Sequence, residues 1–457
     1  MKIITMKQLI PAFLFKKQKV LCVLSCFVIF CIPGFAQQDT QKIDLRTAID
    51  RTLNNNLQIK QAQFQEAITD QNFKQSRLEL LPNLNGSGSA NRRFGLFFDQ
   101  TTGRLVNDAD GLNGNLSSSV TLFQGGQLRN QILQNKYSLA ADKSYVEKIR
   151  NDLTLSVVTT YLQILTNRDF VIASEQQVEL SKSQLKVAQS NFDVGNNTLA
   201  DLSQAKSQLA NNELSLTNAQ NAYEISLLDL KQLMEIDPQT EIEVLTPVVP
   251  PLESLKLTYS GSNVYQQALN NNPDIKVAKY NSEVFGAAVK VAKGGLYPSL
   301  SFGGGLGTSY SNISSVPFRT QLDENVSKNI GFSLSVPIFN NYRSRTNLTI
   351  AKIRYDNALV GEQLAKNTLN KTINQAVLDL RSAEKRYTAT QQAFQSSKDA
   401  FDVIRKRYEV GLVNAVELNV SQTNFNKSEF DFIQAKYDLI FRSKVIDFYL
   451  GNPITLN

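Results

Sequence analysis

Apolar positions in this chain switch between two periods, and the switch occurs twice. From Leu45 to Leu80 they recur at helical spacing, and Pro82 ends the run by pushing Leu81 toward extended geometry. Alternation then takes over. Leu84 to Asn91 places apolar or small residues between polar ones, and Leu116, Ser118, Val120 and Leu122 alternate with Ser117, Ser119 and Thr121. Farther on, Leu300, Phe302, Leu306, Thr308 and Tyr310 oppose Ser301, Gly303, Gly305, Gly307 and Ser309, and Ile330, Phe332, Leu334, Val336 and Ile338 oppose Gly331, Ser333, Ser335 and Pro337. These patterns predict four strands with unlike faces, at about 82–92, 114–123, 298–310 and 329–339, with Pro82 and Pro298 standing before a strand in each half.

None of the four alternating stretches holds a charged residue between its ends, although 19% of the chain is charged. An Arg or Lys facing lipid at the bilayer midplane costs about 2–4 kcal/mol, and a membrane-crossing strand needs about 9–11 residues. Length and charge therefore both fit strands of a membrane barrel, with Leu300, Phe302, Ile330, Phe332, Leu334 and Val336 facing lipid. Between the strands run RRFGLFFDQTTGRLVNDADG and SNISSVPFRTQLDENVSK, expected as exposed loops, with Phe94, Phe97 and Phe98 either in the pore mouth or at the membrane interface. Four strands cannot close a barrel alone, so the subunit is expected to oligomerise and hide its strand edges.

The long segments are helical. From Gln124 to Val194 there is no proline, and the only glycines are Gly125 and Gly126 at the start; such a run predicts a rod of about 105 Å at 1.5 Å per residue. Gly195 ends it, and Thr198 to Glu235 resumes as a second helix. The combined length of the two shorter helices nearly equals the long one, so they are expected to stack end to end beside it. Leu202, Ala205, Leu209, Leu216, Ala219 and Tyr223, with Asn212 at the missing step, follow coiled-coil spacing, as do Leu418, Ser421, Phe425, Ser428, Phe432, Ala435 and Leu439.

The second half repeats the first. Asn54 to Asn56 returns at Asn270 to Asn272, Pro82 at Pro298, SVTLFQGG from Ser119 as SVPIFNNY from Ser335, and FDVGNNTLADL from Phe192 as YEVGLVNAVEL from Tyr408, all at a constant offset of 216. Such a match implies duplication of a unit too large for a solenoid repeat. Residues 37–235 form the first copy and 263–450 the second, with hairpin tips near 195 and 411. A proline-rich connector spans 236–262 and a short tail 451–457.

Composition narrows the chemistry. Lys2, Lys7, Lys16, Lys17 and Lys19, an apolar core from Val20 to Ile32, and Gly34-Phe35-Ala36 predict a signal peptide over residues 1–36. Its removal lowers the formal charge from +7 to about +2, which argues against a nucleic-acid partner. Cys22, Cys26 and Cys31 all lie in that leader, so no disulfide is expected; acylation at Cys26 is the less favoured alternative. Histidine is absent from the whole chain. Without His or mature Cys, no cofactor, metal site, thiol chemistry or Ser-His triad is expected, and the sequence argues against an enzyme.

The duplicated order helix, strand, strand, long helix, tip, helix, together with the strand-to-helix segments SVTLFQGG and SVPIFNN and the tips FDVGNNTLADL and YEVGLVNAVEL, resembles the TolC family of outer-membrane efflux and secretion channels over about residues 43–450. The resemblance implies a homotrimer in outer-membrane lipid, in which three chains build a twelve-stranded barrel continued by a twelve-helix periplasmic tunnel. It also implies a periplasmic adaptor and an inner-membrane pump of the RND or ABC type as partners, with passive export through the duct. In that family the tunnel closes at its tip; Glu417 matches an acidic ring position, while the next ring position is Val420 here. Asp201 and Tyr408 match a hydrogen-bonding pair at the tip, and Val413 stands where an arginine is found. Both acids also read as parts of helix starts, Thr198-x-x-Asp201 and Asn414-x-x-Glu417, while Gly195 and Gly411 read as helix-ending turns. The competing reading is a periplasmic coiled-coil adaptor or scaffold with no channel activity.

Overall fold

The computed structural model describes residues 41–99, 103–247, 259–452 and 454. The leader predicted over residues 1–36 and most of the connector's proline-rich stretch lie outside these residues. The first copy runs β1 (Gln41–Ile43), α1 (Leu45–Asn55), α2 (Leu57–Leu78), β2 (Asn83–Asp99), β3 (Arg104–Gln124), α3 (Gln127–Asp193), α4 (Leu199–Leu233) and β4 (Ile242–Val244). The second runs α5 (Gly261–Asn271), α6 (Pro273–Gly294), β5 (Ser299–Ser311), α7 (Phe318–Glu324), β6 (Ser327–Ser335), α8 (Arg343–Glu409) and α9 (Ala415–Leu450). Both long helices, α3 and α8, have 67 residues and so extend about 100 Å.

The helix expected over Leu45–Leu80 is broken at Asn56. Its backbone is extended (φ −59°, ψ 132°), its N–H donates to the Thr52 carbonyl, and its Oδ1 accepts from the Gln58 N–H at 2.9 Å. One asparagine thus closes α1 and opens α2. Asn272, at the same offset of 216, does likewise between α5 and α6, accepting from the Asp274 N–H at 2.8 Å ahead of Pro273. An asparagine side chain that satisfies a free backbone N–H stabilises a helix start inside an otherwise helical pattern.

This break shortens the end-to-end stack beside α3, which consists of α2 and α4 without residues 45–55. In the first copy α2 and α4 run along α3, one on each half: Thr69 Oγ1 donates to Asp142 on the sheet-side half of α3, and Asn167 Nδ2 donates to the Ala222 carbonyl farther along. Helix α1 instead joins the parallel pair β1–β4 in a lateral module at mid-height. There Ile43, Leu45, Ala48, Ile242 and Val244 pack on Val157, Tyr161, Ile164 and Leu165 of α3 and on Leu230 and Met234. A second core around Val264, Ala268, Ile373, Val377, Leu380 and Ile446 repeats it. Val157, Tyr161, Ile164 and Leu230 correspond to Ile373, Val377, Leu380 and Ile446 at the duplication offset.

The coiled-coil stripe forms as expected. Phe425 and Phe432 of α9 interleave with Tyr387, Phe394 and Phe401 of α8, with centroid separations of 5.4–5.9 Å. The first copy places Leu209 and Leu216 at the corresponding positions, so the second hairpin is the more aromatic.

Strands β2, β3, β5 and β6 pair in that order as one antiparallel sheet. Three boundaries differ from expectation. The first loop is largely strand, because Leu96, Phe97 and Phe98 pair with Asn107, Val106 and Leu105 beyond a bulge between Arg93 and Leu96. Large apolar side chains favour pleated structure, and Gly95 (φ 94°) accommodates the bulge while donating to Asp108 Oδ1 at 2.9 Å. The second loop contains α7. At the far end β6 stops at Ser335, leaving Val336 outside the strand because Pro337 cannot donate to a ladder. A shift between Thr121 and Phe123 also drops Leu122 from register, so Phe123 pairs with Leu300.

The join between sheet and helices is tight at Gly125. With φ 57°, a methyl group there would lie 2.3 Å from the Gly294 carbonyl and 2.9 Å from Tyr297 Cβ. Gly125→Ala is expected to destabilise the protein by about 1–3 kcal/mol, read as a lower thermal midpoint.

Candidate functional site

Directly paired residues of neighbouring strands project to the same face of a sheet, so register assigns each side chain to a surface. One face carries Leu84, Leu112, Leu116, Val120, Leu300, Phe302, Leu306, Ile330, Phe332 and Leu334. Opposite stand Asn83, Asn85, Ser87, Asn113, Asn115, Ser117, Ser301, Asn329, Ser333 and the glycines between them; the charged side chains lie toward the loop ends, Arg93 on this polar face and Arg92, Asp110 and Lys328 on the apolar one. Ile330 is 83% exposed and Phe332 71%, so within one chain the apolar face has no cover. Among the described residues no helix is long and apolar enough to cross a membrane.

The duplicated helices differ in how many partners they have. Helix α6 packs against both α3 and α8, and α9 likewise packs against both, whereas their counterparts α2 and α4 pack on α3. The outer flank of α2 presents Leu57, Phe64, Ile68 and Leu78 on one stripe, with Phe64 69% exposed. The outer flank of α8 presents Ile350, Ile353, Val360 and Leu364, with Val360 58% exposed. These spacings are those of a helix–helix seam.

The remote ends of the helices turn at Gly195 (φ 78°) and Gly411 (φ 75°), a left-handed geometry that favours glycine. Helix α4 opens on a capping box: Thr198 Oγ1 accepts from the Asp201 N–H at 3.2 Å, and Asp201 Oδ2 accepts from the Thr198 N–H at 3.0 Å and from its hydroxyl at 2.7 Å. In α9 the Asn414 Oδ1 accepts from the Glu417 N–H at 2.9 Å. Asp201 is thus engaged with Thr198, and among the described residues no hydrogen bond joins it to Tyr408. Val194, Leu199, Val410, Leu412, Val416 and Val420 stand exposed around the two tips.

Hydrogen bonds from the Thr198 hydroxyl and N–H hold the Asp201 carboxyl below the usual carboxylate range. Its contribution to the cap is therefore complete above the unfolded value of about 3.9 and is lost as pH falls through the lower folded value. Amide exchange at Leu199 to Leu202 should show constant protection from pH 7 to 5 and increased opening below about pH 4. Thr198→Ala should raise opening at every pH, at a cost of about 0.5–2 kcal/mol.

Between tips and sheet lies a polar network that the pattern reading did not find. Tyr437 donates to Asp169 Oδ2 at 2.8 Å, Arg168 donates to Thr246 Oγ1 at 2.6 Å, and Tyr161 donates to the Leu245 carbonyl at 2.6 Å. Burial, reinforced by the Asp169 carboxylate, pushes the Tyr437 hydroxyl far above the usual tyrosine range. Both copies and the start of the connector meet here. Its only trace in the sequence is a pair of charges, Arg168 and Asp169, inside a helix.

The profile described as outer membrane efflux protein matches residues 48–234 and 264–452, one match per copy. The outer membrane efflux protein BepC of Brucella suis is 21% identical over 400 residues, covering 87% of this chain and 83% of that protein. The outer membrane protein TolC of Escherichia coli is 24% identical over 402 residues, covering 84% and 77%. Among solved structures, the CmeC outer membrane channel of Campylobacter jejuni superposes with a TM-score of 0.78 at 22% identity, covering 89% of this chain and 85% of that one.

Proposed function

The chain belongs to the outer membrane efflux protein family, and from that premise we propose that it is the passive exit duct of a tripartite efflux pump or a type I secretion system. Three copies each contribute β2, β3, β5 and β6 to a twelve-stranded barrel in the outer membrane, and α2 to α4, α6, α8 and α9 continue it as a periplasmic tunnel. The observation that carries this reading is the paired sheet with Leu, Phe, Ile and Val on one side and Asn, Ser, Thr and Gly on the other. Hydrocarbon accepts the first surface and an aqueous lumen the second.

Trimerisation follows from the unequal helix partners. Within one chain α6 fills the groove between α3 and α8; in the trimer α2 of the next protomer fills the corresponding place against the free flank of α8. Closure of the barrel joins β6 of one protomer to β2 of the next and removes both sheet edges. The exposed aliphatic tips around Gly195 and Gly411 receive a periplasmic adaptor, which couples the duct to an inner-membrane pump of the RND or ABC type. Asp201, Tyr408 and Glu417 belong to the gate at that end, where the cap geometry of Asp201 and Glu417 sets the direction in which each hairpin leaves its tip.

In planar lipid bilayers the purified trimer should conduct, and recovery of the mature protein from the soluble periplasm would overturn the duct. Tyr408→Phe combined with Asp201→Ala should raise single-channel conductance several-fold. Unchanged conductance would remove both residues from the gate while leaving the duct intact. Photocrosslinkers at the positions of Gly195 and Gly411 should capture the adaptor, identified by mass spectrometry.

A further inference from the structure

Helices α3, α8 and α9 line a half-open cavity of about 370 Å³ at mid-height, within the size range of small-molecule sites. Its position follows from helix geometry. On α3, Tyr161 points to the carbonyls of Ile43 and Leu245 in the lateral module. Thr159 and Gln163, which line the cavity, lie two residues to either side and so about 200° around the helix. On α9, Gln434 and Phe441 line the cavity with Phe441 also packing against the first core, while Leu439 and Ile446 turn away into the second core. On α3, therefore, the cavity faces the side of the helix away from the lateral module. In a closed tunnel the bulky modules must lie outside, which places the cavity on the lumen. That placement rests on the duct reading, whereas the cavity and its chemistry do not.

The walls combine an apolar floor of Leu162, Phe170 and Phe441 with two guanidinium groups and one carboxylate. Arg442 is already committed: it donates to Asp379 Oδ2 at 2.8 Å and to Asp438 Oδ1 at 3.1 Å, and it lies 5.6 Å from the Phe441 ring centroid. The Tyr437 hydroxyl and the Gln163 amide are committed too, to Asp169 and Asn167. Among the described residues the Arg386 guanidinium makes no hydrogen bond or ion pair, and the Gln434 amide makes no hydrogen bond. One cationic fork and one amide thus stand free beside two phenyl rings. A planar, bidentate donor of this kind selects carboxylate or sulfonate, and the rings select a flat apolar body.

We propose that this cavity is a lumenal contact site for amphipathic organic anions, held by Arg386 and Gln434 at the acidic group and by Phe170 and Phe441 along the apolar body. Such a site would retain aromatic anions briefly on their way through a duct that is otherwise unselective at this level.

The test is isothermal titration of sodium 1-naphthalenesulfonate into the full-length protein in dodecyl maltoside, with the matched cation 1-naphthyltrimethylammonium as comparison. Saturable binding of one sulfonate per chain is expected, with no saturable heat from the cation. Arg386→Gln, at an exposed position, should weaken binding at least about tenfold, because a hydrogen bond to a charged group is lost. Thr159→Trp should fill the space and abolish it. Absence of binding, equal binding of the cation, or unchanged affinity in Arg386→Gln would overturn the site. Probe-free conductance of the same preparation reads the duct separately: a conducting trimer that ignores the sulfonate overturns only this site, and sulfonate binding without conductance overturns only the duct.

Discussion

Phe332→Arg should remove the protein from the outer membrane, whereas Ser333→Arg, one residue away, should leave assembly intact and lower conductance. Phe332 pairs with Phe302 across β5 and β6, their ring centroids 4.9 Å apart on the apolar face, while Ser333 pairs with Ser301 on the opposite face. An arginine at the midplane on the lipid side costs about 2–4 kcal/mol, and trimer symmetry repeats it, giving about 6–12 kcal/mol per assembly. That is comparable to the whole stability of a typical domain. Three guanidiniums in an aqueous lumen meet no such penalty and instead narrow and charge the pore. Outer-membrane fractionation and single-channel recording distinguish the two. Equal loss of assembly in both variants would mean that the two faces are not divided between lipid and water.

Phe64→Asp with Val360→Asp should convert the trimer to monomers. Both positions lie on outer flanks with no partner inside one chain, so intrachain packing offers little reason for either substitution to unfold the protomer. Burying an aspartate without a partner in a helix–helix seam costs several kcal/mol at each of three interfaces, far above the effect of an exposed substitution. Size-exclusion chromatography with light scattering would read the shift, and circular dichroism would confirm retained helicity. A trimer that persists in the double variant would place the seam on another flank.

Much of this architecture is carried by local pattern. Duplication at an offset of 216 predicts two matching long helices, and both α3 and α8 have 67 residues. The two-residue period of Leu300 to Tyr310 predicts which side chains share a face, and the β3–β5–β6 register agrees for Leu300, Phe302, Ile330, Phe332 and Leu334. Gly195 and Gly411 predict the tips because a left-handed turn favours glycine. Elsewhere the pattern is silent or misleading. Asn56 sits in an unbroken helical period, yet its side chain competes for the Gln58 N–H and splits the helix. Val336 continues the alternation of β6 past the point where Pro337 ends the ladder.

Period, glycine position and absence of charge are properties of neighbours along the chain, so the amino-acid order alone determined the repeat, the rods, the turns and the two-faced strands. Contacts between distant segments are not encoded in any local period. Only the tertiary structure decided that Arg168, Asp169 and Tyr437 meet, that Gly125 must clear the Gly294 carbonyl, that α2 and α8 each keep one flank bare, and that Arg386 faces a cavity with no ion partner. Each of these depends on how helices more than a hundred residues apart rotate about their own axes when their cores pack, a choice made by the whole layer together.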